Sequence, residues 1–157
     1  MIPELLTTSA PGELFVVRNV ANLVPPAQRA DSCVGAALEY SVEALGIRHI
    51  VVCGHYGCGG VKAMIEGVNK QKMPELESWL RDAAVLNSAA RAENADKSEQ
   101  WRLAVEENVL DQLANLTSYP GVQSRLEAGE MTLHGWVYDL RGELFVYNAD
   151  TAQFALA

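Results

Sequence analysis

The chain has 157 residues, 49% of them apolar and 20% charged, with a formal net charge of −8. One globular domain over 1–157 is the expectation, and the acidic balance, with no cluster of Lys and Arg, excludes a nucleic-acid binder. No run approaches the roughly 18 apolar residues that span a bilayer, and Met1-Ile2-Pro3-Glu4 lacks the basic start of a signal peptide, so no membrane partner and a cytoplasmic location are expected.

Leu14-Phe15-Val16-Val17 reads as a short buried strand, entered through the Pro11-Gly12 turn. Pro25-Pro26 rules out a helix in the next stretch. Asp31 or Ser32 caps the following helix, in which Val34, Leu38, Val42 and Leu45 recur at helical spacing before Gly46 stops it. Ile50 to Cys53 reads as a second buried strand. The order strand, helix, strand predicts a parallel pair with a crossover. A glycine-rich turn then leads into a helix over 60–66. Pro74 opens another helix, expected to run to about Ala90. The polar stretch from Glu93 to Glu99 reads as a connector. Trp101, Val105, Val109, Leu113 and Leu116 mark the buried face of a long helix. A short helix to Ala128 follows, closed by Gly129. Met131 to Tyr138 and Leu144 to Tyr147 read as strands joined by a tight turn at Arg141-Gly142.

The chemistry concentrates in Cys53-Gly54-His55-Tyr56-Gly57-Cys58-Gly59-Gly60. An imidazole and a thiol three positions apart on one turn can converge on a soft metal ion, and that donor pair favours zinc. By itself the spacing is a weak motif; a hydrogen-bonded histidine beside a small buried thiol has the same pattern. Other candidate ligands fit less well. His49 falls at the far end of the strand. Cys33 falls at the start of a helix, at the opposite pole of the crossover. Cys53 lies about 6.6 Å deeper than His55 along the strand, in the expected core. His134 reads as structural. Three cysteines without paired spacing do not suggest a disulfide framework. Gly57, Gly59 and Gly60 lead into a helix N-terminus, where free N–H groups favour a small anion such as bicarbonate. No Gly-Lys-Ser/Thr follows, so this is not a nucleotide phosphate loop.

These residues resemble the β-class carbonic anhydrases. The resemblance is carried by the block from Phe15 to Val24, by Leu38-Glu39-Tyr40, by Val51 to Gly60, and by His134-Gly135-Trp136-Val137-Tyr138, in the family's order over nearly the whole chain. It implies an α/β fold with a mostly parallel sheet flanked by helices, a homodimer or higher homo-oligomer, a Zn²⁺ cofactor, and interconversion of carbon dioxide and bicarbonate. It assigns His55 and Cys58 as zinc ligands and Gly59 as a backbone donor beside the metal. In some bacterial members an Arg and a Tyr help bind a second, inhibitory bicarbonate, and the resemblance places Arg18 and Tyr138 at those positions; with Gly59 and Gly60 of the glycine turn they make up the expected anion-binding set.

The chain departs from that pattern at its start. The family's first zinc ligand lies in a Cys-x-Asp-x-Arg motif at the end of the first core strand, before a segment similar to Ile2-Pro3-Glu4-Leu5-Leu6. This chain begins with that later segment. The expectation is a domain lacking the first core strand, with an open gap between Leu14–Val17 and Ile50–Cys53 that rearrangement or another chain must close. With two protein ligands, zinc would keep a net charge of +1, bind weakly, and support little activity in this polypeptide alone. Two other functions compete: a catalytically inactive bicarbonate-binding or scaffolding homologue, and a related hydrolase acting on a small linear molecule such as carbon disulfide.

Overall fold

A computed structural model describes residues 2–28, 33–81 and 96–157. Its sheet has four strands in sequence order: β1 (His49–His55), β2 (Thr132–Tyr138), β3 (Leu144–Asn148) and β4 (Gln153–Leu156). β1 and β2 are parallel, in register from His49↔Thr132 to His55↔Tyr138. The β2–β3 and β3–β4 pairs are antiparallel. The sheet is therefore mixed, with its parallel pair at the β1 edge. Six α-helices are described: α1 (Pro3–Thr7), α2 (Cys33–Glu39), α3 (Gly59–Glu66), α4 (Pro74–Arg81), α5 (Lys97–Leu116) and α6 (Pro120–Glu127). α2 runs on into a π turn over Tyr40–Ala44 and stops where Gly46 turns left-handed at φ +64°.

Helix α5 organises the core. Asp96 caps it, its carboxylate accepting from the Glu99 N–H at 2.9 Å. Its inner face buries Ala104, Val105, Val109 and Leu116 completely or nearly so. That face lies on Val52, Gly54, Gly135 and Val137, alternate residues of β1 and β2 that share one side of the sheet. Gly54 and Gly135 are glycines for lack of space. A Cβ on Gly54 would lie 2.9 Å from Val109 Cγ2, and one on Gly135 would lie 3.0 Å from Leu113 Cδ1.

The loop before α2 is fastened to the same helix by buried amides. Asn108 donates to the Ala21 carbonyl at 2.8 Å, Gln112 donates to Asn108 at 3.0 Å, and the Val24 N–H donates to Gln112 at 2.8 Å. Each bond satisfies a group that burial would otherwise leave costly. Asn19 holds the loop from within: its amide donates to the Leu23 carbonyl at 2.8 Å and its oxygen accepts from the Leu23 N–H at 2.7 Å. The Trp79 indole of α4 donates to the Val20 carbonyl at 2.9 Å.

The expectation for Leu14–Val17 is corrected. The segment is no strand, and Phe15, Val16 and Val17 are exposed. Four apolar residues in extended conformation become a strand only beside a partner strand, and none lies next to this segment among the described residues. The parallel pair predicted between Leu14–Val17 and Ile50–Cys53 is instead formed by β1 with β2. Cys53 is half-buried on the less covered side of the sheet. Two expectations gain elements: β4 and α1 extend the predicted set. The capping by Asp31 or Ser32, the last part of the helix from Pro74, and the start of the Glu93–Glu99 connector lie outside the described residues.

Candidate metal centre

His55 is the last residue of β1 and Cys58 caps the N-terminus of α3, so both sit on the turn at the strand's C-terminal end. Gly57 makes the turn possible with φ +72°, a left-handed conformation that costs other residues steric strain. Cys58 is buried, and its carbonyl accepts from the Lys62 N–H at 3.0 Å, the first helical bond of α3. His55 is half-buried. Its Nδ1 lies 3.1 Å from the carbonyl oxygen of Tyr56. A carbonyl only accepts, so Nδ1 carries a proton, and in the neutral ring Nε2 keeps its lone pair. An imidazole ligand oriented by a backbone carbonyl is a common arrangement around protein-bound metals.

Two of the three glycines in the expected anion cradle differ in kind. Around Gly59 the space is open, as close approach by a ligand requires. Gly60 is packed: a Cβ there would lie 2.9 Å from Val20 Cγ1 and 3.1 Å from the Ala21 nitrogen. The loop pinned to α5 thus presses directly on the back of the turn. The first N–H groups of α3 have no intrahelical acceptor and point out of its N-terminus.

Tyr138 is brought to the site. It pairs in register with His55, and its carbonyl accepts from the Tyr56 N–H at 3.0 Å. Arg18 lies on the exposed stretch before the loop, and no described hydrogen bond or ion pair links it to Tyr138. His49 and His134 are neighbours at the opposite end of β1, with Nδ1 and Nε2 3.1 Å apart. Burial pushes the Cys53 thiol up to about 11, which makes it a poor nucleophile at neutral pH. Cys33, the first residue of α2, is exposed.

Catalytic zinc takes three protein donors. His55 and Cys58 are donors of the right chemistry, and among the described residues no group of three or more His, Cys, Asp or Glu side chains converges. By donor chemistry, His55 and Cys58 would supply two of the three donors that zinc takes. Sequence reasoning missed Tyr56 and Glu106. The Tyr56 hydroxyl donates to Glu106 at 2.6 Å across fifty positions of chain. Tyr56 stands inside the glycine motif, but no spacing rule connects it to a carboxylate in α5. Beside them, a cleft of about 350 Å³ is lined by Tyr56, Gly57, Trp101 and Phe145 rather than by His55 or Cys58.

Residues 1–144 match the family model described as carbonic anhydrase. The chain belongs to the carbonic anhydrase family, in its β class. A carbonic anhydrase of Synechocystis sp. is 40% identical over 153 residues, a match covering 93% of this chain and 55% of that protein. One from Pseudomonas aeruginosa is 42% identical over 141 residues, covering 89% and 64%. The chain thus spans between about half and two thirds of these curated relatives. The solved β-carbonic anhydrase CcaA matches with a TM-score of 0.91 at 36% identity, covering 100% of this chain and 78% of that one. Hydration of carbon dioxide is the general reaction of the family. No described helix is long and apolar enough to cross a membrane.

Proposed function

We propose that this chain carries part of a zinc-dependent site for the reversible hydration of carbon dioxide, with His55 and Cys58 as the ligands it contributes. The observation that supports this most is the contact of His55 Nδ1 with the Tyr56 carbonyl, which in the neutral ring leaves Nε2 free to bind a metal, with a buried thiol three positions along the same turn. Zinc bound there supplies Lewis-acid activation of water for attack on carbon dioxide. The open space at Gly59 and the free N–H groups of α3 suit the bicarbonate product, and Tyr138, next to His55, borders the same end of the sheet. Arg18 and Gly60 complete the proposed anion contacts. Gly60 contributes only through its N–H, since the space a side chain would need there is taken by Val20 and Ala21.

Two donors leave zinc one net positive charge, so this polypeptide alone should bind the metal weakly and turn over slowly. A second copy of the chain is the proposed partner, supported by the exposed apolar run Phe15-Val16-Val17. None of the three cysteines is in a disulfide, which suits a reducing cytoplasm. The test is a zinc competition titration against a chromophoric chelator, paired with a stopped-flow carbon dioxide hydration assay. His55→Ala and Cys58→Ser should each lower zinc affinity at least about tenfold. Variants that hold zinc as tightly as the parent protein would falsify the assignment.

A further inference from the structure

The bond that orients His55 is only as steady as the peptide that accepts it. The accepting oxygen belongs to the Tyr56–Gly57 peptide, and Gly57 at φ +72° has no Cβ and nothing within 4 Å of the position one would take. Glycine's wide backbone freedom makes rotation of that peptide plane cheap. Left alone, the carbonyl could swing away from Nδ1 and release the ring into either tautomer.

Tyr56 is restrained on three sides. Its N–H donates to the Tyr138 carbonyl at 3.0 Å, continuing the β1–β2 ladder one residue past the strand. Its ring meets Phe145 of β3 edge-on, with centroids 5.5 Å apart and planes at 64°. Its hydroxyl donates to Glu106 Oε1 at 2.6 Å, a short charge-assisted bond. Glu106 is itself anchored. Arg102, one turn earlier on α5, pairs with it through Nη1 and holds Glu99 with Nε and Nη2 at 2.9 and 2.7 Å. Only 14% of the Glu106 side chain is exposed, so water competes little for its carboxylate.

We propose that Glu106, acting through the Tyr56 hydroxyl, is a positioning residue for the His55 imidazole. The chain of contacts runs from the Arg102–Glu106 pair on α5, through the Tyr56 side chain, to the Tyr56 carbonyl and His55 Nδ1. It fixes the tautomer that leaves Nε2 free, and its relevance to catalysis rests on the zinc reading above. The same bonds also tie α5 to the sheet, so a loss of stability alone does not distinguish a positioning role from a structural one.

The distinguishing readout is the His55 tautomer in metal-free protein, from long-range ¹H–¹⁵N imidazole spectra. The chain has three histidines, so His55→Gln assigns the resonance directly. The parent protein should show the Nδ1–H form. Tyr56→Phe keeps the ring against Phe145 and deletes only the hydroxyl. Glu106→Ala removes the acceptor from the other side. Each should move the tautomer ratio about fivefold toward the Nε2–H form. Glu106→Gln keeps an accepting oxygen and should restore most of the parent ratio. An unchanged His55 spectrum in whichever of the first two variants folds overturns the proposal, whatever happens to the melting temperature. Because no metal is present, failure of zinc binding and failure of this inference are read separately.

Discussion

The two faces of strands β1 and β2 obey the same alternation and serve opposite ends. Val52, Gly54, Gly135 and Val137 lie under α5, and the two glycines sit so close to valine and leucine side chains that no methyl group could be added at either without displacing one. His49, Val51, Cys53 and His55 on the other face are half-buried or exposed, and opposite them stand His134 and Tyr138. The covered face holds the fold together. The open face carries every imidazole in the chain. Groups that must meet a ligand cannot also be sealed in a core, and a strand with period-two alternation can meet both needs at once.

The comparison breaks most sharply if Gly54 is filled. Gly54→Val puts a branched side chain where Val109 and Val105 already stand, 2.9 and 3.3 Å from the new Cβ. The expected cost is about 3 kcal/mol, seen as a lower urea midpoint at unchanged slope. A loss under about 1 kcal/mol would mean that α5 can lift from the sheet, and the packed face would lose its distinction from the open one. Next in size is Asn108→Leu. It conserves volume but strands the Ala21 carbonyl and the Gln112 amide, both buried. About 2 kcal/mol should be lost, measured by the same titration. A neutral result would show that the loop backing Gly60 is held by apolar packing rather than by amides.

Much of this division was legible in the sequence. The apolar spacing of Val105, Val109, Leu113 and Leu116 marked the inner face of α5, and β1, β2 and β3 were each located to within one or two residues. Turn chemistry was legible as well, because Gly46 and Gly129 stop their helices with left-handed backbone. Leu14–Val17 was misread because apolar, β-branched composition says only that a segment would suit a sheet. Whether a neighbour is there to pair with it is a property of the whole fold. β4 was missed because Gln153–Leu156 is four residues long and only Phe154 in it is partly buried. At the site, His55 and Cys58 announced themselves by spacing. The clamp on Tyr56 did not, because Glu106 reaches it through tertiary packing.

Gly57 sharpens the contrast within a single motif. Unlike Gly54, it has open space around it and is required only by its positive φ. Gly57→Ala should therefore cost about 1 kcal/mol through backbone strain alone, roughly a third of the Gly54→Val effect. The informative measurement is again on His55: if the strained turn relaxes, the imidazole spectrum changes while the apolar core stays intact. A cost as large as that of Gly54→Val would place Gly57 among the packed positions.

The smallest expected effect lies at the far end of the open face. His49 Nδ1 and His134 Nε2 are 3.1 Å apart, so one ring must donate and the other accept, and the contact fails when both are protonated. Burial, and then the charge of His49, hold the His134 pKa below its ordinary value of 6.5. For a base whose folded pKa is depressed, the unfolded chain takes up its proton first. Stability is full above 6.5, falls as the pH drops below it, and levels off once the folded state is protonated too. His134→Gln removes this dependence and keeps a group that can hydrogen-bond to His49. Melting temperatures measured from pH about 8 down to about 5, above most carboxylate titration, should decline less steeply in the variant than in the parent protein. Parallel curves would mean that the pair titrates as it does in the unfolded chain, and that the open face is wet even where two side chains touch.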